Sequence, residues 1–385
     1  MVTSAMVSSG RWHPLFVVVP LLLLASACSP STGGGAGDES SVGSTPSTGA
    51  VGSPTPDRAG TGELLLGLTP FPSAPSSEAV AAAFGLAAEE GSLIAHHFDR
   101  GIPWESLLDG TPLPATFAAE LRARRSASDG QGVYVALALS NVARDDIPDG
   151  LDGAARPVSL AGAGPSTPEV QRALTAWIDL LVAELDPDFL NVGVEIDLVA
   201  ASDPAAAGDW LELYRRLYRH ATATYPDVTV FASFQAELGD PAVLPQLVDA
   251  TDLIAVSTYP YLGGDLSTPP PDYLDRFFAP GLPVAIAETG FPAGVAATPE
   301  GEVASSPRAQ DDYLEWLLGQ ACARDLAFLV WFLPTDIDIG AWGYSPEAAA
   351  TATVFATNGL YGLNGDPRPA ARRWTEARET GCSVD

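Results

Sequence analysis

The sequence predicts an α/β protein whose main domain is one (β/α)8 (TIM) barrel, and three observations predict it. Eight short apolar or β-branched runs recur from Leu64 onward. Segments with helical start signals and helical periodicity follow most of them. The runs are largely continuous rather than alternating, as parallel strands covered by helices require. An open doubly wound sheet would carry a glycine-rich turn after its first strand. This chain reads Leu68-Thr69-Pro70-Phe71-Pro72 there, so the closed barrel is preferred.

The expected strands are Leu64–Leu68, Leu93–Phe98, Val133–Leu139 and Phe189–Glu195, then Val228–Ser233, Leu253–Ser257, Val284–Glu288 and Phe328–Phe332. Ser76-Ser77-Glu78 opens a first helix over Ala79–Glu90, with an acid in its first turn. Thr167-Pro168-Glu169 opens an amphipathic helix to Leu185, and Pro168 suits the first helical position. Trp210–Tyr225 gathers Leu211, Leu213, Tyr214, Leu217 and Tyr218 on one face. Pro241–Ala250, Pro271–Phe278, Ser306–Arg324 and Pro369–Glu379 complete the helices.

The N-terminus reads as an address. Arg11 precedes the apolar run Leu15–Leu24, which is too short for a comfortable membrane span, and small residues follow. Residues 1–27 are therefore expected to be a signal peptide. Leu24-Ala25-Ser26-Ala27-Cys28 resembles a bacterial lipoprotein signal, which implies lipidation of Cys28 and an exported protein anchored to the outer side of the cell membrane. Residues 28–62 are rich in Ser, Gly, Thr and Pro and read as a flexible tether, leaving 63–385 for the barrel. Cys322 and Cys382 remain in the exported part, where a disulfide between them is chemically permitted, with two separate thiols as the alternative.

Composition excludes several chemistries. All 19 basic residues are arginine, so Schiff-base and pyridoxal-phosphate enzymes are ruled out, because they need a lysine amine. A net charge of −29 argues against a nucleic-acid surface. No Gly-x-Ser-x-Gly elbow is present. No cofactor is expected, and a monomer is.

The chemistry is expected at the C-terminal strand ends. The fourth strand runs Asn191-Val192-Gly193-Val194-Glu195-Ile196-Asp197, and alternation puts Asn191, Gly193, Glu195 and Asp197 on one face. The seventh strand, Val284–Glu288, also ends an apolar run in a glutamate. Buried carboxylates are costly unless compensated, so two of them at opposed strand ends need a reason. Facing carboxylates are the equipment of glycoside hydrolysis.

These motifs resemble the clan A glycoside hydrolases, retaining barrel enzymes with an acid/base Glu on strand four and a nucleophile Glu on strand seven. Val192–Ile196, Ser257-Thr258-Tyr259-Pro260-Tyr261 and Glu288-Thr289-Gly290-Phe291-Pro292 are closest to the endo-β-1,4-galactanase family. The resemblance implies Glu195 as acid/base, with a proton-retaining carboxyl in its apolar strand, and Glu288 as nucleophile. It further implies Tyr259 hydrogen-bonded to Glu288, and Trp331 as the floor beneath the reacting sugar. One departure stands out: the family has asparagine before the acid/base, where it contacts the sugar 2-hydroxyl, and this chain has Val194.

Asn191, Asn141 or Gln235 could supply the missing amide. Phe71, Trp104, Tyr261 and Trp342 are candidate sugar platforms. His97 and Asp99 share a face at the end of strand two and are read as substrate-binding or supporting residues. Two ligands fall short of a zinc site, so no metal is expected. Asp197 shares the face of Glu195 and joins the candidate binding set. The expectation is a retaining glycosidase acting on a poly- or oligosaccharide. The alternatives are a catalytically weak or inactive carbohydrate-binding lipoprotein, and an envelope scaffold.

Overall fold

The computed structural model describes residues 64–264, 267–298 and 301–382. The signal peptide, Cys28 and the tether lie outside the described residues. Eight strands close into a parallel barrel: β1 Leu65–Leu68, β2 Leu93–Phe98, β3 Gly132–Leu137, β4 Phe189–Asn191, β5 Thr229–Gln235, β6 Ile254–Thr258, β7 Val284–Thr289 and β10 Phe328–Trp331. Each pairs with its neighbours in sequence, and β1 pairs with β10 to complete the ring. A small hairpin, β8 Ala296–Thr298 with β9 Gly301–Val303, follows β7.

Alternation along the strands builds two apolar layers. Leu93, Ala95, Tyr134, Ala136, Phe189, Phe231, Ala255, Ala285, Ala287, Phe328 and Val330 fill the barrel interior. Phe189 and Phe328 meet there edge to face at 4.8 Å between ring centroids. The other strand faces pack against the helical layer, where Trp177, Leu181, Trp210, Leu217 and Trp374 are fully buried. Burial of such side chains contributes about 1.5–3 kcal/mol each, which explains why strands and helices share one core.

Several helices follow the expected signals. Ser77–Glu90 is capped by the Ser76 hydroxyl, and Pro168–Leu185 and Pro307–Arg324 start on proline. Trp104–Asp109 and Ala115–Ala127, between β2 and β3, and Pro346–Phe355 after β10 were not anticipated. Cys322 and Cys382 form a disulfide with Cα atoms 5.2 Å apart. It ties the end of the helix leading into β10 to the end of the C-terminal helix, Pro369–Thr380, away from the C-terminal strand ends. Among the described residues no helix is long and apolar enough to cross a membrane.

The main departure in the barrel is β4, which ends at Asn191 rather than Glu195. The Asn191 Oδ1 accepts from the Gly193 amide at 3.0 Å and turns the chain out of the sheet. A Cβ on Gly193 would lie 2.8 Å from the Tyr214 ring, so the turn passes where only glycine fits.

Candidate active site

Glu195 owes its position to this turn. It adopts left-handed backbone geometry (φ 46°, ψ 51°) immediately before the helix Ile196–Ser202. The cost for a non-glycine residue is about 1–2 kcal/mol. The Ser233 hydroxyl on β5 holds the Glu195 amide at 2.9 Å, and Asn191 Nδ2 in turn donates to Ser233 at 3.0 Å. The side chain is buried, and its Oε2 accepts from the Nη2 of Arg144. Glu195 therefore stands beside a guanidinium, not among apolar side chains alone.

Glu288 reaches the mouth through a defect in its strand. Ala285 and Ala287 face the barrel interior, so strict alternation would send Glu288 outward among the helices. The register slips by one residue: Ile286 pairs with Val256 and Leu329, then Glu288 with Ser257 and Thr289 with Trp331. Such a bulge re-aims a side chain. Thr289 is turned outward onto the Thr258 carbonyl at 2.7 Å and the Tyr313 hydroxyl at 2.6 Å. Glu288 accepts from the Tyr259 hydroxyl at 2.5 Å. Burial, and then the charge of Glu195, push the Glu288 carboxyl up to about 8, against the pull of Tyr259 and Arg144. Glu195 thus stands close enough for its charge to act on Glu288.

Two further residues in this network escaped sequence reasoning. Arg144 lies in the loop after β3, at φ 59°, in a turn closed by Asn141. The Asn141 carbonyl accepts from the Arg144 amide at 3.0 Å, and its Oδ1 from the Asp145 amide at 3.1 Å. Glu237, two residues beyond β5, accepts at Oε1 from Thr258 Oγ1 at 2.7 Å, the Tyr259 amide at 3.0 Å and the Tyr273 hydroxyl. Gln235 Nε2 donates to its other oxygen at 2.6 Å. Burial raises the Glu237 carboxyl, and these hydrogen bonds oppose the rise. Glu237 thus anchors the backbone from which Tyr259 reaches Glu288. The strand-end-acid signal could have found it, had β5 not been expected to end at Ser233.

The aromatic wall also differs from expectation. Phe328 and Val330 face inward, so Trp331 faces outward. It is fully buried beside Tyr313, with its Nε1 on the Asn358 carbonyl at 2.9 Å. Trp331 is therefore no floor for a sugar. Phe332, the next residue, meets His97 edge to face at 5.3 Å and Phe71 at 6.2 Å. Phe71 in turn stacks on Trp342 at 5.8 Å. Tyr261 is also corrected: it is wholly buried, and its hydroxyl accepts from Asn358 Nδ2 at 2.9 Å. Trp104 is a core residue donating to the Pro148 carbonyl at 3.1 Å.

None of the three expected amides is spare. Asn191 bridges Tyr134 and Ser233, Asn141 donates to Asp145 at 2.9 Å, and Gln235 closes the turn that carries Glu237. Asp197, expected beside Glu195 in the mouth, is buried in the first turn of its helix. Both its oxygens accept from the Gln235 amide at 3.1 Å, and a Cβ on Gly239 would lie 1.8 Å from its Oδ2. Burial pushes its carboxyl to about 8. It clips the β5 loop to that helix rather than facing a ligand.

His97 and Asp99 do stand at the mouth. Burial and the nearby Arg124 charge hold His97 neutral, down to about 3. Its Nε2 is buried with no hydrogen-bond partner among the described residues, as a site awaiting a ligand hydroxyl would be. Burial raises the Asp99 carboxyl, whose charge is felt at Glu288. Asp336, by contrast, is locked to Arg368, with Nη1 and Oδ1 at 2.7 Å, and Asp338 caps the helix Ile339–Trp342.

No family model and no curated protein matches the sequence. Solved structures do match. The exo-β-1,4-mannosidase Op5Man5 of Opitutaceae bacterium strain TAV5 aligns with a TM-score of 0.60 at 15% identity, over 83% of this chain and 60% of that one. The chain thus spans three-fifths of the mannosidase's length. A GH5_18 protein of Bifidobacterium longum subsp. longum ATCC 55813 aligns with a TM-score of 0.61 at 15% identity, over 84% and 80% of the two chains. Xylanase 10B of Thermotoga maritima aligns at 0.55 and 13% identity, over 83% and 95%. The likeness is one of fold: a (β/α)8 barrel of the kind glycosidases use.

Proposed function

We propose that the chain is a retaining glycoside hydrolase acting on a poly- or oligosaccharide, with Glu195 as acid/base and Glu288 as nucleophile. One observation supports this reading: Glu195, in the turn after β4, and Glu288, on β7, stand at the C-terminal strand ends, near enough for the charge of Glu195 to raise the Glu288 carboxyl. In the reaction Glu288 attacks the anomeric carbon while Glu195 protonates the departing oxygen. Glu195 then removes a proton from the water that releases the glycosyl-enzyme. Tyr259 stabilises the attacking carboxylate by its hydroxyl. Phe71, Phe332 and His97 line the ring-binding side, with apolar faces for the sugar and one imidazole nitrogen for a hydroxyl. The Leu24–Cys28 motif and the tether support lipid anchoring outside the cell, where polysaccharide is met.

Val194 and the grip of Arg144 on Glu195 favour the second reading, a carbohydrate-binding protein with little turnover. Glu288→Ala separates the two. The glycosidase reading expects hydrolysis of activated aryl glycosides to vanish and to return with azide or formate. Activity unchanged by that substitution contradicts it.

A further inference from the structure

Arg144 is a positive centre held beside Glu195 in a chain of 48 acids and 19 bases. Its placement is built rather than incidental. The Asn141 side chain closes the turn, Arg144 holds left-handed geometry at φ 59°, and Arg156 fixes the turn's end by donating to Asp146 at 2.6 Å. The Arg144 side chain is 18% exposed and the Glu195 side chain 9%. Besides Glu195, the guanidinium donates to the Val194 carbonyl at 3.5 Å, and among the described residues several of its five N–H donors are left for another partner.

Resting on the glycosidase reading above, we propose that Arg144 is the specificity residue for a saccharide carrying an anionic group beside the bond to be cut. In the free protein Arg144 is paired with Glu195, and a carboxylate in such a pair cannot serve as the proton donor. The pair must open for the reaction to proceed. A neutral hydroxyl is a weaker partner for guanidinium than a carboxylate, whereas an anion on the substrate matches it in charge and in planar geometry. Transfer of Arg144 from Glu195 to that anion frees Glu195 to take up a proton.

The proton is already present in the mouth. Near neutral pH it resides on Glu288, whose carboxyl is pushed up to about 8. When Arg144 moves, this proton passes to Glu195 through the solvent of the mouth. Glu288 is left as the carboxylate that attacks, with Tyr259 as its donor. No proton enters or leaves the pair. Asp99, the other acid within reach of both Arg144 and Glu288, has a carboxyl raised by burial and competes poorly for the guanidinium.

Calorimetry on the Glu288→Gln protein tests this without relying on turnover. The probes are uronic-acid oligosaccharides beside their carboxyl-reduced counterparts, and sulfated oligosaccharides beside their desulfated ones. The expected result is at least tenfold tighter binding of the acidic member of one pair, lost in Arg144→Gln and reduced but not lost in Arg144→Lys, which keeps the charge without the planar fork. Preference in the first pair identifies a carboxylate, and in the second a sulfate. Equal binding of acidic and neutral members, or no binding of any acidic probe, overturns the proposal. The hydrolytic reading is judged separately by products from the Glu288-containing protein: cleavage of neutral glycans without acidic preference leaves that reading standing and this one refuted.

Discussion

Arg144 donates to Glu195 Oε2 from the loop after β3, the strand beside β4, and the Tyr259 hydroxyl donates to Glu288 in the same mouth. The two carboxyls are thus held by different groups, a cation and a neutral hydroxyl. Their environments differ, and such differences divide acid from nucleophile in carboxylate pairs.

Stability should fall as pH rises through neutrality. Glu288 and Asp197 carry folded-state values of about 8, above the ordinary carboxylate range, so the folded state holds protons that the unfolded chain has released. Each such group costs about 1.4 kcal/mol per pH unit across that window. His96 and His97 act in the opposite sense, because burial lowers both and the unfolded chain binds protons first as pH falls. Between about pH 4.5 and 6.5 the two effects offset each other; above about 6.5 only the acids remain. Denaturant unfolding should show a decline from pH 6.5 to 8, flattened in Asp197→Asn. A stability that rises over that interval contradicts the assignment.

Phe332 and Trp331 should part company in mutagenesis. Phe332→Ala is expected to raise KM about tenfold or more, since it removes a wall shared with His97 and Phe71. Trp331→Phe should cost about 1–3 kcal/mol of stability, through a lost buried hydrogen bond and volume, with KM little changed. Steady-state kinetics beside thermal melts reads both.

Glu237→Gln should lower kcat about tenfold or more while KM stays near its original value. Glu237 holds the Tyr259 amide and the Tyr273 hydroxyl, and so acts on Glu288 through Tyr259. A shift in the acidic limb of the kcat profile, with an unchanged melt, distinguishes positioning of Glu288 from simple unfolding.

The disulfide should matter for stability and not for catalysis. Closing a 60-residue separation corresponds to about 4 kcal/mol in a chain-entropy account. Cys322→Ser with Cys382→Ser is expected to lower Tm and leave kcat/KM intact, because the bridge joins helix ends far from the strand mouths.

The barrel was legible because strand runs and helix caps are local signals. Glu195 and Glu288 were singled out by another local signal, an acid closing an apolar run. Side-chain direction was not, since alternation presumes a regular strand. The bulge in β7 turns Glu288 inward, and the break of β4 after Asn191 turns Asp197 into a buried clip. At β10 the strand stays regular, and the ring facing the mouth is Phe332, one residue beyond the tryptophan that the resemblance pointed to. Arg144 and Glu237 lay in loops, whose spatial neighbours come from distant sequence. Their partners, Glu195 and Tyr273, stand 51 and 36 residues away.

In the proposed reaction Glu288 forms a covalent bond to the sugar. Intact-mass and peptide mapping after incubation with a panel of activated 2-deoxy-2-fluoro glycosides, neutral and uronic, tests it most directly. One glycosyl adduct per chain is expected, located on Glu288 and absent from Glu288→Gln. Hydrolysis of the matching glycosides with the adduct on another residue, or with none at all, would contradict it.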